Sequence, residues 1–174
     1  MEAKRAEDLM IPLDRYPHLA YWFTLRQAIA EMEKSEIEVD GRKSLPREVL
    51  VFNEAYELMG TVRRRDLLRG LRPEFLTARR QQYTGKLFTV KVDPSLPELA
   101  HDKLLDGLRE HAERPVSEVM RPITLTVRHG DHLMTIIHEM VANDLSLIPV
   151  LRDDKVVGVV RSVDVLHEVA QIVL

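Results

Sequence analysis

The C-terminal third of the chain places two short apolar runs around a polar turn and follows them with helical periodicity. Residues 147–151 and 156–160 are the apolar runs, and residues 152–155 between them are charged. From position 162 to the C-terminus, apolar side chains recur three or four positions apart. This order predicts a β-hairpin followed by an amphipathic helix.

The segments before this hairpin predict a helical turn, a strand and a helix. Residues 115–122 begin and end with proline and are expected to form one helical turn. Residues 123–127 are rich in β-formers, which predicts a strand, and residues 128–131 are expected to turn. Residues 132–143 carry apolar side chains at helical spacing.

The N-terminal part of the chain repeats this order with additional residues. We expect a helical turn over 6–12, a helix over 25–32, and a hairpin formed by 49–52 and 56–62. A further helix is expected to open at Asp66 and to end near Gly70 and Pro73. Most of the added length lies in residues 38–48, which are expected to form a polar loop or a hairpin extension.

An internal repeat supports this correspondence. The string Gly60-Thr61-Val62-Arg63-Arg64-Arg65-Asp66-Leu67-Leu68 recurs as Gly158-Val159-Val160-Arg161-Ser162-Val163-Asp164-Val165-Leu166. A repeat predicts related structural units. We therefore expect a first module at 1–72, a second at 115–174, and a structured insert at 73–114 with helices over 75–82 and from about 95, and a strand over 86–92. Because a module of roughly 60 residues is marginally stable alone, the two should share a core.

Composition excludes several function classes. The chain has 25 basic and 28 acidic residues, a net charge of −3, and no cysteine. Near-neutral charge argues against a nucleic-acid partner, and the absence of thiols excludes disulfides and thiolate metal sites. The charged N-terminus lacks a signal-peptide core, and no apolar stretch approaches the roughly 18 residues of a membrane span. A soluble, cytoplasmic protein without catalytic or metal-binding residues is expected.

Both copies, Ala6 to Leu71 and Pro115 to Leu174, resemble the cystathionine-β-synthase (CBS) domain, whose tandem pair is called a Bateman module, and the second copy shows the resemblance more clearly. The resemblance rests on Leu147-Ile148-Pro149-Val150-Leu151, on Lys155-Val156-Val157-Gly158-Val159-Val160, and on Asp164. It implies an α+β fold of two β-α-β-β-α modules paired about a pseudo-twofold axis. In many CBS pairs, the clefts between the modules bind adenine nucleotides or S-adenosylmethionine.

The resemblance assigns Asp66 and Asp164 to the ribose hydroxyls, with each helix N-terminus favouring a phosphate. Family members usually carry serine or threonine three residues earlier, where this chain has Arg63 and Arg161. Each arginine could bind a phosphate as a charged fork, or it could fill the cleft or point to solvent. Without the resemblance, the aspartates have a simpler role, since an acidic residue there stabilises the helix by roughly 0.3–1 kcal/mol.

The resemblance also ranks the two clefts. It places Asp164 opposite Ala28 and Phe23, where the small alanine leaves room for an adenine ring and the phenylalanine could stack on a base or belong to the core. The Asp164 cleft is therefore the expected binding site.

The Asp66 cleft is expected to be less suitable. The resemblance places Asp66 opposite Ile136, Asp131 and the strand around Leu145 and Ile148. Ile136 is expected to fill the space for the base, and Asp131 to repel an anion.

These observations favour a stand-alone regulatory module that binds AMP, ADP, ATP or S-adenosylmethionine and requires no other cofactor. We expect a homodimer formed through helical faces, with a separate, unidentified effector protein. The alternative is a ligand-free dimerisation scaffold with degenerate clefts. A nucleic-acid accessory is less favoured, since the arginine clusters at 63–65 and 79–80 are short.

Overall fold

The computed structural model of the protein describes residues 4–72 and 101–174. Within these ranges, none of the helices is both long enough and apolar enough to cross a membrane. The predicted helix over 75–82, the strand over 86–92 and the start of the helix near 95 lie outside the described residues. The end of the predicted insert is a helix, α4, at His101–His111.

The first module is built around a four-stranded sheet whose strands, in spatial order, are β2 (His18–Ala20), β5 (Glu48–Phe52), β6 (Leu58–Arg63) and β7 (Arg121–Pro122). β5 runs parallel to β2 and antiparallel to β6. A separate two-stranded hairpin, β3-β4, precedes β5. The elements of this part of the chain are β2 (His18–Ala20), α2 (Leu25–Lys34), β3 (Ile37–Val39), β4 (Arg42–Ser44), β5 (Glu48–Phe52), β6 (Leu58–Arg63) and α3 (Arg64–Leu71).

The second module repeats this arrangement with the strand order β8-β9-β10-β1, where β1 is Ile11–Pro12. β9 runs parallel to β8 and antiparallel to β10, as β5 does to β2 and β6. The matching order gives the two modules an approximate twofold relationship. The elements are β8 (Val127–Arg128), α5 (Leu133–Ala142), β9 (Leu147–Arg152), β10 (Lys155–Arg161) and α6 (Ser162–Val173).

Each module receives its edge strand from the segment that opens the other repeat. β1 (Ile11–Pro12) follows the short helix α1 (Ala6–Leu9) and pairs with β10 of the second sheet. β7 (Arg121–Pro122) lies in the segment that opens the second repeat and pairs with β6 of the first sheet. The two modules are therefore linked by exchanged strands, and the sequence repeats do not coincide with the structural units.

The repeated glycines allow these exchanged strands to approach. A Cβ atom at Gly158 would lie 2.5 Å from the carbonyl oxygen of Ile11, and one at Gly60 would collide with the carbonyl oxygen of Arg121. Backbone atoms cannot move aside as the end of a flexible side chain can. The glycine of the repeat is thus required by close backbone contact at the strand crossing.

Three apolar clusters hold the fold together. One cluster lies in each module. Ala6 and Leu9, from the start of the first repeat, pack in the cluster of the second module, and Val116 and Val119, from the start of the second repeat, pack in the cluster of the first module. A third cluster joins the modules and consists of Ile11, Tyr16, Ile37, Leu50, Phe52, Leu147 and Val159. The modules therefore share a core, as their small size predicted.

The predicted elements are largely confirmed. The helices expected over 25–32 and 132–143, both hairpins and the helices opened by the two aspartates are present, and residues 38–48 contain most of the β3-β4 hairpin extension. The strand expected over 123–127 is wrong, because only Val127–Arg128 pairs in that region. β2 was not predicted, since its three residues are too few to show an alternating pattern.

Candidate functional site

The two repeated aspartates each occupy the third position of a helix. Asp66 lies in the first turn of α3 and Asp164 in the first turn of α6, and both side chains are buried. In each case the arginine three residues earlier, Arg63 or Arg161, is the last residue before the helix. The prediction that the aspartates open helices is confirmed.

The Asp66 carboxylate is surrounded by arginines. Its Oδ2 atom accepts hydrogen bonds from the backbone N–H of Arg63 at 3.0 Å and from Arg63 Nε at 3.1 Å. Its Oδ1 atom accepts from Arg63 Nη2 at 3.3 Å and from Arg69 Nη1 at 3.1 Å. Burial alone would raise the pKa of Asp66, but the hydrogen bonds and positive charge of Arg63, with the charge of Arg69, lower it.

Asp164 forms an equivalent ion pair in a more enclosed setting. Arg161 Nε lies 2.7 Å from Oδ2 of Asp164, and Arg161 Nη2 lies 2.9 Å from Oδ1, which is a bidentate geometry. The remaining nitrogen, Nη1, donates to Ser44 Oγ at 2.9 Å. The Arg161 side chain is only 10% exposed, compared with 30% for Arg63. All the nitrogens of the Arg161 guanidinium group are thus occupied within the protein.

A cavity of about 310 Å³ lies between the modules beside Arg63, and we call it the Arg63 cleft. Arg121 and the hydroxyl groups of Thr61, Thr124 and Ser146 give it hydrogen-bonding capacity. Its volume is at the lower end of the range typical of small-molecule sites. The residues that line it are Glu48, Thr61, Arg63, Arg121, Pro122, Ile123, Thr124, Leu125, Asn143, Asp144, Leu145, Ser146, Leu147 and Pro149.

A second cavity of about 370 Å³, the Arg161 cavity, shares a wall with the Arg63 cleft. Glu48, Ser146 and Leu147 line both spaces. Burial raises the pKa of Glu48, although hydrogen bonds from Ser146 and Thr61 oppose that effect. The other residues that line the Arg161 cavity are Tyr16, Ser44, Leu45, Arg47, Arg64, Arg161, Ser162 and Val163.

Tyr16 explains why these two spaces differ. In the second copy, the residues that follow Pro122 form a wall of the Arg63 cleft. In the first copy, the residues after Pro12 form a 3₁₀ turn that leads into Tyr16. Tyr16 is 2% exposed, packs in the central cluster and donates from Oη to the backbone oxygen of Glu48 at 2.7 Å. The Tyr16 ring thus forms part of the wall of the Arg161 cavity, whereas Ile123, Thr124 and Leu125 line the Arg63 cleft.

Four of the predicted binding residues lie in the module cores. Ala28 is fully buried in the first cluster, against which Phe23 packs, and Ile136 and Ile148 are fully buried in the second cluster. None of the four lines the Arg63 cleft or the Arg161 cavity. The expectation that Ala28 borders an adenine ring stays a prediction.

The remaining predicted residues are divided among different surroundings. Arg63 and Leu145 meet in the Arg63 cleft, whereas the adjacent Asp66 is not among its lining residues. Asp164 lines a separate cavity of about 210 Å³. Asp131 accepts the backbone N–H of Arg128 at 2.8 Å, which stabilises the turn before α5. None of the cavities described above is lined by Asp164 together with Ala28 or Phe23.

Sequence reasoning missed several residues of the Arg63 cleft. Arg121 and Thr124 lie in and after the exchanged strand β7, and Asp144 lies in the turn after α5 with a positive φ of 52°. Thr124 lies two residues after Pro122, and this proline marked the end of the predicted helical turn in the sequence. Arg121 gave none, because its position depends on the pairing of β7 with the opposite module.

Comparison with known proteins identifies the fold. The CBS-domain family model matches residues 116–171, and comparison with curated proteins gave no match. CBSX2 from Arabidopsis thaliana is 17% identical with a TM-score of 0.64, covering 98% of this chain and 97% of that one. A second CBSX2 structure, a complex with AMP, is 17% identical with a TM-score of 0.61 and 97% coverage of both chains.

Bacterial structures give the same result. A CBS domain-containing protein from Kribbella flavida is 15% identical, with a TM-score of 0.66 and coverage of 96% of this chain and 98% of that one. A putative acetoin utilization protein (AcuB) from Vibrio cholerae is 21% identical, with a TM-score of 0.60 and coverage of 98% and 93%. Residues 116–171 therefore match the CBS-domain family model, and nearly the whole chain has the fold of a CBS pair.

Proposed function

We propose that this protein is a non-catalytic regulator that binds an adenine nucleotide in the Arg63 cleft. The observation that carries the proposal is a cavity between the modules in which Arg63 and Arg121 stand beside three hydroxyl side chains. Arginines suit phosphate groups because the guanidinium fork presents several donors in one plane. The apolar residues Ile123 and Leu125 supply surface for a base.

The choice of this cleft reverses the ranking expected from the sequence. Arg161 already uses its nitrogens on Asp164 and Ser44. The Arg121 side chain is 55% exposed and lies only at the margin of the Asp66 network, with its Nε atom 3.5 Å from Oδ1. Arg121 can therefore turn towards a ligand at little cost.

The AMP-bound CBSX2 structure supports the ligand class, since that protein shares the fold. A ligand in the Arg63 cleft would touch β6 of the first module and the Asn143–Leu147 region of the second. Binding to both modules favours one relative arrangement of the two, which is how a CBS pair could pass a signal to a separate effector.

Titration calorimetry and thermal melts with AMP, ADP, ATP and S-adenosylmethionine test the proposal. At 100 times its Kd, a ligand should add about 2.7 kcal/mol to the free energy of unfolding. Arg121→Gln should weaken nucleotide binding by about tenfold, as expected when one charge-assisted contact is lost. Arg65→Gln is the charge-matched control, because Arg65 is exposed and lines none of the cavities described above. Failure of all four compounds to bind or stabilise the wild-type protein would exclude this function.

We also infer that the protein forms a homodimer through the helices of the second module. α6 exposes Val163, Leu166 and Val173, which with Ala170 repeat at the three- and four-residue spacing of a coiled-coil seam. α5 packs beside α6 and exposes Met134 and Val141. An exposed apolar seam of this kind is self-complementary, so a second copy fits it.

The corresponding face of the first module is different. Arg26 and Glu33 of α2 occupy the positions equivalent to Met134 and Val141 of α5, and both are exposed. α4 packs against α3 on this side, and Arg26 forms an ion pair with Glu113 just after α4. The charged residues and α4 leave the second module as the favoured dimer face.

A further inference from the structure

The Asp66 carboxylate has no acceptor position left for a ligand. An ionised carboxylate offers about four lone-pair sites. The backbone N–H, Nε and Nη2 of Arg63 and the Nη1 of Arg69 use all four, at 3.0 to 3.3 Å. The side chain is fully buried. Any ligand hydroxyl that approached Asp66 would have to replace an arginine.

That replacement is unfavourable for a neutral hydroxyl. Hydrogen bonds between a guanidinium and a carboxylate are charge-assisted and roughly twice as strong as those between neutral groups. Arg63 also lies three residues before Asp66 at the start of α3, so it re-forms its bonds without any change in the backbone. Arg63 therefore competes with any ligand for hydrogen bonds to the Asp66 carboxylate.

The same pairing occurs in the second module. Arg161 binds both oxygens of Asp164, at 2.7 and 2.9 Å, although its surroundings differ from those of Arg63. The arginine three residues before the aspartate thus has the same preferred partner in both copies. The pairing follows from the local sequence and does not depend on one cleft.

We propose that Arg63 is a specificity-determining residue that keeps the Asp66 carboxylate from binding the ribose hydroxyls of a nucleotide in the Arg63 cleft. This inference rests on the proposed function of the same cleft. Arg121 holds the phosphate end of the ligand, and the apolar lining holds the base. The ligand class is a nucleoside phosphate whose sugar hydroxyls make no hydrogen bond to Asp66.

Calorimetry with AMP and 2′-deoxy-AMP tests this directly. The wild-type protein should bind the two with Kd values within about threefold of each other, because Asp66 accepts no hydrogen bond from the 2′-hydroxyl group. Arg63→Ser frees the Asp66 carboxylate and should create a preference for AMP of about tenfold, the value of one good hydrogen bond to a charged group. Arg65→Ser, in the same arginine run, should keep the wild-type lack of preference.

A second variant covers the possibility that Arg63→Ser does not fold. Asp66→Asn retains the shape of the side chain and leaves Arg63 in place, and it should bind AMP within about threefold of the wild type. A loss of about tenfold or more in Asp66→Asn, or a preference of that size for AMP in the wild type, would overturn the inference while leaving the proposed function intact. If neither nucleotide binds the wild type, both proposals fail.

Discussion

Ser146 donates a hydrogen bond from Oγ to Oε1 of Glu48 at 2.9 Å, across the boundary between the two modules. Glu48 begins β5 of the first sheet, and Ser146 immediately precedes β9 of the second. The pair also forms part of the wall between the Arg63 cleft and the Arg161 cavity. A ligand on either side would therefore meet the same contact that joins the modules.

Glu48→Gln should stabilise the protein at neutral pH. Burial raises the pKa of Glu48 in the folded state, so its contribution to stability is greatest below the unfolded pKa and is lost as the pH rises through the folded pKa. Glutamine keeps an acceptor for Ser146 and carries no charge. For a chain of this length, each 1 kcal/mol raises Tm by roughly 2–4 °C. Thermal melts should show a gain for the variant at pH 7 that shrinks towards pH 4. A constant gain across this range would contradict the prediction.

Gly158→Ala should destabilise the crossing of the exchanged strands. The added Cβ atom would lie 2.5 Å from the backbone oxygen of Ile11 and 3.1 Å from Sδ of Met10. Overpacking against backbone typically costs about 1–3 kcal/mol. Urea unfolding measures the loss. Gly107→Ala in α4 is the matched control, since its Cβ meets no atom within 4 Å, and it should be stabilising because alanine is the better helix former.

Asp164→Ala should act mainly on stability, because it leaves Arg161 buried without a counter-charge. Breaking a buried pair by removing one partner costs about 3–5 kcal/mol. Replacing both residues with apolar side chains, as in Arg161→Met with Asp164→Leu, should recover much of that loss. Chemical denaturation of both variants gives the comparison. Equal stability of Asp164→Ala and the wild type would show that the ion pair contributes nothing.

Leu166→Glu should convert the dimer into a monomer. It places a charge in the apolar seam of α6, where burial against a second copy would require desolvating the carboxylate. Light scattering coupled to size-exclusion chromatography measures the mass. Leu68→Glu is the control, because Leu68 occupies the equivalent position in α3 and is equally exposed, at 68%. Loss of the dimer in both variants, or in neither, would exclude the second module as the interface.

The sequence predicted those parts of the fold that depend on local periodicity. The helix over 25–32, both hairpins and the helix starts at the two aspartates follow from short-range patterns that tertiary contacts reinforced. The exchange of β1 and β7 could not be predicted in the same way. Each of these strands has two residues and carries a proline, so nothing in its own sequence indicates the sheet that it joins.

The candidate site was harder to predict because it depends on side-chain direction and on filled space. Arg63 was recognised as a departure from the family pattern, but a guanidinium can reach a ligand, solvent or its own aspartate with similar ease. The contacts that fix the direction of the guanidinium group are long-range, as in the hydrogen bond from Arg161 to Ser44. Tyr16 likewise lines the Arg161 cavity, and it reaches this position through a turn whose sequence resembles an ordinary surface loop.

The exchanged strands have a consequence for how the polypeptide acquires its structure. Ile11 pairs with Val159, which lies 148 positions further along the chain (159 − 11), so the second sheet stays incomplete until residue 159 has been synthesised. The first sheet likewise stays incomplete until Arg121 and Pro122 have been synthesised. Contacts between such distant residues slow folding, because a long loop must close before they form. The two modules must fold together, and a nascent N-terminal half would expose the apolar surface that the C-terminal half later covers.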